Sequence, residues 1–358
     1  MMQPLTECPI AGKRVFLRID ANVPLEGGRI GNDFRLRMVL PTIEYLIQAG
    51  AQLTIGTHLG RPTGVDKSLS VAPIRHWFKE RGVAAQFLEN LRFDPREKAG
   101  DMGFAHELAA GHDIYVDDAW GTMHRADTSI ALLPTLFAPE NRAYGLLVAK
   151  ELAALTPLRS AVPKPYLVFL GGNKEKIELL EDLINHGQPT GLVVLPAIAF
   201  SFLAAQGRSV GSSLTFPESF ATCRSIIRLA HKRGVEILLP KDFFVEKHGG
   251  QIEAMRHIMD EEKGVTIGPE TMAMLASRIA QARTIFYNGA MGYGEEGRYM
   301  LKELLTCIAS STAHTVIGGG DSVAAAERFG LAKSFSWCST GGGSTLAFIS
   351  GAQLPGLL

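Results

Sequence analysis

Residues 15–24, Val-Phe-Leu-Arg-Ile-Asp-Ala-Asn-Val-Pro, place a short apolar run directly before a group of polar residues. The run 15–19 predicts a buried strand, because strands of a parallel sheet that is covered on both faces are nearly continuous in apolar residues. Apolar side chains then recur at helical spacing over residues 38–49, Gly50 ends this predicted helix, and residues 52–57 predict the next strand. A strand, a helix and a second strand in this order indicate a parallel sheet with a crossover helix.

The same alternation continues to the end of the chain. Further strands are predicted at residues 114–116, 166–170, 191–195, 235–239, 284–287 and 315–317, and further helices at residues 175–185 and 220–233. A length of 358 residues suits two domains of ordinary size. The sequence therefore predicts an α/β fold with two doubly wound, Rossmann-like parallel sheets, each covered by helices on both faces.

The boundary between the two domains is predicted near the middle of the chain. Residues 146–160 resemble a helix, carry no candidate for chemistry and are followed by Pro163 and Pro165. We therefore expect a first domain at residues 1–145, a connecting helix at 146–160 and a second domain that begins at residue 161.

Composition excludes several classes of partner. The chain has 36 Lys and Arg residues and 36 Asp and Glu residues, so it has no overall field to attract nucleic acid or an anionic membrane. Its 4 cysteines are scattered, which excludes a paired zinc motif and argues against a disulfide framework. The first residues include several charges and no long apolar run, so we expect no signal peptide. We expect a cytoplasmic monomer with small-molecule substrates and no nucleic-acid or membrane partner.

Basic side chains follow the predicted strands of the first half. They are Arg35, His58, Arg61, Arg92, His124 and Arg125. The carboxyl ends of parallel strands meet at one edge of a sheet, so these side chains are expected to face one cleft. Because a guanidinium group binds phosphate or carboxylate through two parallel hydrogen bonds, such a cluster predicts a small ligand with several negative charges. Each arginine taken singly has an alternative role as a helix cap or a surface ion pair.

Three glycine-rich turns of the second half each follow a strand and open a helix. They are Gly171-Gly-Asn-Lys-Glu-Lys176, Gly318-Gly-Gly-Asp-Ser322 and Thr340-Gly-Gly-Gly-Ser344. Glycine lets the backbone approach a phosphate, and a helix N-terminus supplies free N–H groups, so together the turns predict phosphate binding. The Asp321 carboxylate suits a Mg²⁺ ion bound to a nucleotide, with an ordinary helix cap as the alternative.

Seven motifs, in this order along nearly the whole chain, resemble those of the phosphoglycerate kinase family. They are Arg18-Ile-Asp-Ala-Asn-Val-Pro24, Thr57-His-Leu-Gly-Arg-Pro62, Leu88-Glu-Asn-Leu-Arg92, Gly121-Thr-Met-His-Arg125, Gly318-Gly-Gly-Asp-Ser322, Ser339-Thr-Gly-Gly-Gly343 and Leu354-Pro-Gly356. The resemblance implies reversible phosphoryl transfer between ATP and the carboxylate of 3-phosphoglycerate, giving 1,3-bisphosphoglycerate and ADP. It also implies that residues 1–145 bind the acid, that residues 161–338 bind the nucleotide with Mg²⁺, and that residues 339–358 pack on the first domain.

The resemblance also assigns individual residues. The acid-binding positions are Asp20, Asn22, Arg35, His58, Arg61, Arg92 and Arg125. The nucleotide-binding positions are Gly171, Gly172, Lys174, Asn288, Glu295, Gly318, Gly319, Gly320, Asp321 and Ser322. The candidates for stabilising the transferring phosphoryl group are Arg35, Lys176 and the backbone N–H groups at Gly318 and Gly341. Since the two ligands belong to different domains, we expect closure about the connecting helix to bring them together.

The nucleotide half departs from the family pattern. The second family lysine, four positions after Lys174, would fall at Glu178, and the nearest lysine is Lys176. Leu195-Pro-Ala-Ile198 replaces a Gly-Gly-Gly-Met segment beside the base, and the chain is shortened within residues 73–89 and 243–268. These differences leave open the choice between ATP and GTP. Two alternatives are a kinase for a related phosphorylated or phosphonate carboxylic acid, and a binding or regulatory protein that has lost transfer.

Overall fold

The computed structural model describes residues 2–160 and 162–358, and the chain divides into two compact units. Unit 1 contains the described residues up to Leu155 together with Gln353–Leu358, and unit 2 is formed from Thr156–Ala352. Residue 161, the predicted start of the second domain, lies outside the described residues.

Unit 1 is built on a sheet of six parallel strands. Its strands are β1 (Gln3–Pro4), β2 (Arg14–Ile19), β5 (Gln52–Gly56), β6 (Gln86–Phe87), β7 (Ile114–Asp118) and β8 (Arg142–Tyr144), with a separate hairpin of β3 (Leu25–Glu26) and β4 (Arg29–Ile30). Its helices are α1 (Phe34–Gln48), α2 (Ala72–Lys79), α3 (Arg96–Ala99), α4 (Met102–Ala109) and α5 (Leu146–Leu155). The strand order is β1-β8-β7-β2-β5-β6, so β2 lies in the middle.

Strand β2 packs on both faces, as its apolar run predicts. Val15 and Leu17 belong to one buried cluster, which also includes Ile43 of α1. Phe16, with its side chain on the opposite face, packs in a second cluster with Phe104 of α4. The sheet is therefore covered on both sides.

Unit 2 contains a second sheet of six parallel strands and a smaller antiparallel sheet. The strands of the larger sheet are β9 (Tyr166–Leu170), β10 (Gly191–Val194), β11 (Glu236–Leu238), β15 (Thr284–Asn288), β16 (His314–Gly318) and β17 (Trp337–Ser339), in the order β11-β10-β9-β15-β16-β17. The smaller sheet pairs β12 (Phe243–Glu246) with β13 (Ile252–Met255) and β14 (Lys263–Ile267). The predicted fold class is confirmed, and the antiparallel sheet is an addition to it.

The helices of unit 2 alternate with these strands along the chain, beginning before β9 and ending after β17. They are α6 (Pro157–Ser160), α7 (Glu175–Glu178), α8 (Leu180–Asp182), α9 (Ile198–Ala205), α10 (Phe220–Arg233), α11 (Pro269–Gln281), α12 (Gly294–Ala309), α13 (Gly320–Arg328) and α14 (Gly343–Ile349). No helix within the described ranges is long and apolar enough to cross a membrane.

Four boundaries differ from those predicted. The first helix begins at Phe34, so Arg35 lies in its first turn rather than ahead of it. The predicted helix 175–185 consists of α7, α8 and a wider turn of helix at Leu183–Gly187. The predicted connecting helix 146–160 is interrupted at Thr156, so α5 belongs to unit 1 and α6 to unit 2.

The fourth difference concerns the C-terminal segment. Residues 339–352 do not join unit 1, because Ser339 pairs with Gly318 in the sheet of unit 2 and α14 packs in the same unit. Gln353–Leu358 alone belong to unit 1, where the Gly356 N–H group donates to the Met123 carbonyl at 3.0 Å. The chain therefore rejoins unit 1 at Gln353, and the prediction that it does so from residue 339 is wrong.

Candidate active site

The predicted acid-binding residues lie in and around loops at the carboxyl ends of four adjacent strands of unit 1. Asp20 and Asn22 follow β2, His58 and Arg61 follow β5, Arg92 follows β6 and Arg125 follows β7. Because β7, β2, β5 and β6 are neighbours in the sheet, the topology gathers residues that are more than 100 positions apart in sequence at a single edge.

Arg35 joins helix α1 to the loop after β2. Its Nη1 atom donates to the Asn22 carbonyl oxygen at 2.6 Å and lies 3.4 Å from Oδ2 of Asp20. The Gly60 N–H group in turn donates to Oδ1 of Asn22 at 2.9 Å, which ties the loop after β5 to the same group. The structure therefore brings together Asp20, Asn22 and Arg35.

Arg92 lies under this group and is almost fully buried. Its guanidinium donates to the Gly60 carbonyl at 3.0 Å and to Oδ2 of Asp127 at 3.2 Å. Arg61 is exposed and Arg125 is half-buried, and within the described residues no side-chain contact joins either of them to the Asp20–Asn22–Arg35 group. These two side chains are free to meet a ligand from the surface of the same edge.

Several buried polar atoms at this edge have no hydrogen-bond partner within residues 2–160 and 162–358. They are Nε2 of His58, Nε of Arg92, Nδ1 of His124 and Oδ2 of Asp20, and the last of these lies 3.4 Å from Nη1 of Arg35. Burial lowers the pKa of His58 well below 6.5, with further contributions from Arg18, Arg92 and Arg35, and burial also lowers the pKa of His124. A buried polar group without a partner is costly, so this edge of the sheet is a candidate site for a polar ligand.

The glycine-rich turns of unit 2 also meet at the ends of adjacent strands. The Gly171 N–H group, after β9, donates to the Asn288 carbonyl at the end of β15 at 3.2 Å. The Gly319 N–H group, after β16, donates to the Gly341 carbonyl at 2.8 Å, and the Gly289 N–H group donates to Oγ of Ser322 at 3.0 Å. The predicted phosphate-binding turns therefore form one continuous backbone surface.

The two predicted nucleotide-site lysines have different surroundings. Nζ of Lys176 donates to the Gly171 carbonyl at 2.7 Å and lies 3.3 Å from the Asn288 carbonyl. Burial lowers the pKa of Lys176 to about 8, while Asp321 acts in the opposite direction. Lys174 is half-exposed and pairs with Glu218 at 2.9 Å, which raises the pKa of Lys174.

Two cavities open beside these turns. The first has a volume of about 410 Å³ and is lined by Gly289, Tyr293, Arg298, Asp321 and Ser322, among others. The second, of about 320 Å³, is mostly apolar and is lined by Pro196, Ala197, Phe200, Phe216 and Val265, among others. Ala290, Gly292 and Tyr293 line both cavities, so a single ligand with a polar and an apolar part suits the pair.

Of the remaining nucleotide-site predictions, Asp321 lines the first cavity, and Glu295 and Asn288 are each next in sequence to a residue that lines it. Glu295 is exposed in the first turn of α12, and Asp321 is exposed in the first turn of α13. Asn288 is buried, and its side-chain Nδ2 atom has no hydrogen-bond partner in the part of the chain that the structure describes.

Comparison with known proteins identifies the family. A family model for phosphoglycerate kinase matches residues 5–87 and 78–352. This chain belongs to the phosphoglycerate kinase family. The two matched segments meet within residues 73–89, where the sequence predicted missing residues.

Relatives and solved structures of the phosphoglycerate kinase family align with almost the whole chain. The phosphoglycerate kinase of Anaeromyxobacter sp. (strain Fw109-5) is 37% identical over 388 residues, covering 97% of this chain and 96% of the relative. That of Moorella thermoacetica is 35% identical, covering 99% of this chain and 98% of the relative. The structure of the Coxiella burnetii enzyme matches with a TM-score of 0.84 at 32% identity, covering 100% of this chain and 98% of that one. The structure from Pyrococcus horikoshii OT3 matches with a TM-score of 0.85 at 27% identity, covering 99% and 98%.

The predicted family and enzyme class, a phosphotransferase with a carboxyl acceptor, are confirmed. Sequence reasoning missed two residues that contact the candidate site residues, Arg18 beside His58 and Glu218 beside Lys174. His124 was expected at the acid cleft, although the family resemblance did not assign it a role. Arg18 could have been noticed as a charge within an apolar strand. Glu218 gave no signal, because it lies 44 positions from Lys174.

Proposed function

We propose that this member of the phosphoglycerate kinase family transfers a phosphoryl group reversibly between ATP and the carboxylate of 3-phosphoglycerate, giving 1,3-bisphosphoglycerate and ADP, a reaction of glycolysis. The observation that carries the proposal is the set of buried, unpartnered polar atoms of His58, Arg92 and His124 at one sheet edge. Such atoms suit a small, highly anionic acid, because charge-assisted hydrogen bonds offset the cost of their burial.

Unit 1 is the acid-binding domain in this proposal. Arg61, Arg92 and Arg125 bind the remote phosphate, since the guanidinium fork matches a phosphate group. Asp20, Asn22 and His58 hold the rest of the acid, and Arg35 faces the carboxylate that accepts the phosphoryl group. The contacts of Arg35 with Asp20 and the Asn22 carbonyl support this order, because they fix the guanidinium beside the loop that follows β2.

Unit 2 is the nucleotide-binding domain. The apolar cavity lined by Pro196, Ala197 and Phe216 takes the base, and Glu295 meets the ribose. The phosphates lie along the backbone of Gly171, Gly172, Gly318, Gly319 and Gly320, with Lys174, Asn288 and Ser322 as side-chain contacts. Support comes from the turns at Gly319 and Gly342, which stand at the starts of α13 and α14. The N–H groups of Gly171, Gly172 and Gly319 already donate to carbonyl oxygens, so these three residues contribute close approach of the backbone rather than free donors.

The chemical step needs no general base, because the acceptor is already an ionised carboxylate. Catalysis then depends on alignment and on stabilising the charge of the transferring phosphoryl group. Arg35, Lys176 and the backbone N–H group at Gly318 supply that stabilisation. The predicted donor at Gly341 is excluded, because its N–H group already donates to Oγ of Ser339 at 3.2 Å. The acid and the nucleotide are assigned to different units, so the reaction requires a closure that brings them together and excludes water from the acyl phosphate.

Mg²⁺ enters the proposal as part of the nucleotide. Among residues 2–160 and 162–358, no group of three or more His, Cys, Asp or Glu side chains is arranged to hold a metal ion. A single carboxylate suits Mg²⁺ that keeps several waters and phosphate oxygens as ligands, and Asp321 is exposed beside the first cavity. When bound, Mg²⁺ neutralises charge on the phosphates.

The proposed setting is a cytoplasmic monomer that binds small molecules and neither nucleic acid nor membrane. The balance of 36 basic and 36 acidic residues supports the absence of a nucleic-acid surface. Size-exclusion chromatography with light scattering tests the monomer, which a stable dimer would contradict.

The decisive experiment is a coupled assay with 3-phosphoglycerate, Mg²⁺ and ATP. We expect saturable turnover that depends on all three components and reverses when 1,3-bisphosphoglycerate and ADP are supplied. Turnover with a phosphonate or another phosphorylated acid, but not with 3-phosphoglycerate, would show that the enzyme acts on a different carboxylic acid. Binding of both ligands without turnover would overturn the catalytic function.

A further inference from the structure

Arg18 is a fully buried cation in the middle of the first sheet. It lies in β2, and the backbone partners in register with it are Gly56 of β5 and Asp117 of β7. Its Nη2 atom lies 3.4 Å from Nδ1 of His58, the acid-site histidine in the loop after β5. This contact links a residue of the sheet core to the proposed ligand site.

The orientation of the Arg18 guanidinium is fixed by other bonds. Its Nε atom donates to Oγ of Ser129 at 2.8 Å, and Nη1 donates to the carbonyl of Ile19. Ser129 donates in turn to the buried Glu97 carboxylate at 2.6 Å, and Glu97 lies 4.0 Å from Nη2 of Arg18. The cation therefore has a counter-charge and cannot rotate away from His58 without losing these bonds.

The contact determines which nitrogen of His58 carries the proton. A guanidinium group donates hydrogen bonds and never accepts them, so Nδ1 of His58 must be the unprotonated acceptor. The charged groups that act on His58 are Arg18, Arg92 and Arg35, all of them cations, and together with burial they hold its pKa well below 6.5. The imidazole is thus neutral at pH 7, and its one proton is on Nε2.

Nε2 is the atom that remains for a ligand. It is buried and has no hydrogen-bond partner among the described residues. We propose that Arg18 is a positioning residue that holds His58 in the Nε2–H form, so that a neutral N–H donor faces the anionic acid. The inference rests on the proposed function, because 3-phosphoglycerate is the ligand that this donor would meet.

The test is long-range ¹H–¹⁵N correlation NMR on the full chain labelled with ¹⁵N-histidine, at pH 7 and without ligand. The His58 signals are identified by their loss in His58→Gln. We expect a single Nε2–H form in the wild type. In the double variant Arg18→Met with Glu97→Gln, which avoids leaving a buried carboxylate unpaired, we expect a measurable population of the Nδ1–H form and a higher pKa for His58. An Nδ1–H form in the wild type, or an unchanged tautomer in the folded double variant, would overturn the proposal.

Binding of 3-phosphoglycerate, measured by calorimetry, adds a second readout. We expect a higher dissociation constant in the double variant, raised by the same factor by which the Nε2–H fraction falls and reaching about 10-fold if nine-tenths of the molecules change form. His58→Gln keeps an N–H donor near the position of Nε2 and should bind more tightly than His58→Ala, whether or not the double variant folds. Equal binding by the two His58 variants would count against the donor role. Absence of binding by the wild type would overturn the proposed function alone, because the tautomer is measured without ligand.

Discussion

The ammonium group of Lys176 lies 2.7 Å from the carbonyl oxygen of Gly171, in the turn that follows β9. The phosphoglycerate kinase pattern has its second lysine four positions after Lys174, and this chain has Glu178 there. Lys176 is instead buried against the turn, while Lys174 is paired with Glu218 at the surface. Of these two lysines, Lys176 is the one that lies against the glycine-rich backbone, which favours Lys176 as the cation that contacts the transferring phosphoryl group.

Replacing the two lysines should therefore have different kinetic effects. We expect Lys176→Ala to lower kcat by about 10²–10³-fold, as for the loss of one donor to the transition state. Lys174→Ala should chiefly raise KM for the nucleotide, with kcat nearly unchanged.

Glu218→Ala is the matched control, because it releases Lys174 from its ion pair without removing the cation. It should leave KM for the nucleotide unchanged or lower it. Steady-state kinetics of the three variants provide the check. Unchanged kcat and KM in both lysine variants would mean that neither lysine contacts the nucleotide or the transferring group, which would contradict the assignment.

Nucleotide affinity should depend on pH through Lys176. Burial lowers the pKa of this lysine to about 8 in the free protein, and phosphate anions would raise its pKa in the complex. Below pH 8 the ammonium is already charged, so affinity should be flat there. Above pH 8 binding must take up a proton, and affinity should fall by as much as about 10-fold per pH unit until the pKa of the complex is reached.

Calorimetry between pH 7.5 and 10, in two buffers of different ionisation enthalpy, measures this proton uptake directly. Lys176→Met should show neither the uptake nor the decline in affinity. A flat affinity in the wild type across the range would mean that Lys176 does not contact the phosphates.

The arginines of unit 1 should separate into two groups. Arg61→Ala and Arg125→Ala should weaken binding of 3-phosphoglycerate by about 1.5–3 kcal/mol each, the value of a charge-assisted hydrogen bond. Arg35→Ala should instead lower kcat by about 10³-fold, because it removes charge stabilisation at the transferring group.

Arg37→Ala is a control for Arg35, since Arg37 lies on the same helix but pairs with Asp33 at the surface. It should change neither parameter. Equal, small effects at Arg35, Arg61 and Arg125 would contradict the acid site.

Arg92→Ala should lower the free energy of unfolding of the protein and also weaken binding of the acid. The Arg92–Asp127 pair is almost fully buried, so removing the arginine leaves the Asp127 carboxylate without its counter-charge. Breaking such a pair costs about 3–5 kcal/mol of unfolding free energy. The double variant Arg92→Met with Asp127→Asn should recover stability but not acid affinity. If the double variant were no more stable than the single one, the buried charge would not be the cause.

Eight of the twelve strands in the two large sheets could be predicted from sequence, because each contains a short apolar run. The strands β1, β6, β8 and β17 were not predicted, because each has only two or three residues and no apolar run. The run 166–170 coincides with β9, and the helix predicted at 220–233 coincides with α10. The strand-end positions of Asp20, His58 and Arg125 follow from the same runs, whereas that of Arg92 depends on β6, which was not predicted. Burial on both faces leaves a strong signal that does not depend on distant residues.

Features that depend on distant contacts could not be predicted in this way. The antiparallel sheet of β12, β13 and β14 consists of short strands in which buried and exposed residues are mixed, so the apolar runs that reveal parallel strands are missing. The break between α7 and α8 falls within an unbroken helical pattern. The pairing of Lys174 with Glu218, and the return of the chain to unit 1 at Gln353 rather than residue 339, are set by tertiary packing.

The base cavity should discriminate weakly between purines. Pro196, Ala197, Phe200 and Phe216 offer apolar surface, which holds a purine by contact rather than by reading its polar edge. We expect kcat/KM for ATP and GTP to differ by less than about 100-fold. Phe216 is a half-buried residue of the cavity lining, and Phe216→Ala should weaken the binding of ATP and of GTP to a similar degree. A preference above about 100-fold would show that a polar group reads the base.

In the nucleotide site the turn at Gly171 lies so close to the turn at Ala290 that no space is left for a side chain at Gly171. A Cβ atom at this position would lie 2.1 Å from the Ala290 carbonyl oxygen and 3.0 Å from the Pro196 carbonyl oxygen, so backbone would have to move on both sides. We expect Gly171→Ala to reduce the unfolding free energy by about 1–3 kcal/mol, the usual cost of overpacking. It should also lower kcat, because the Gly171 carbonyl orients Lys176. Gly64→Ala is the control, since a Cβ atom there meets nothing within 4 Å, and its effect should stay within about 0.5 kcal/mol. Urea titration and steady-state kinetics of both variants would decide, and equal stability of the two would mean that the turns can separate without cost.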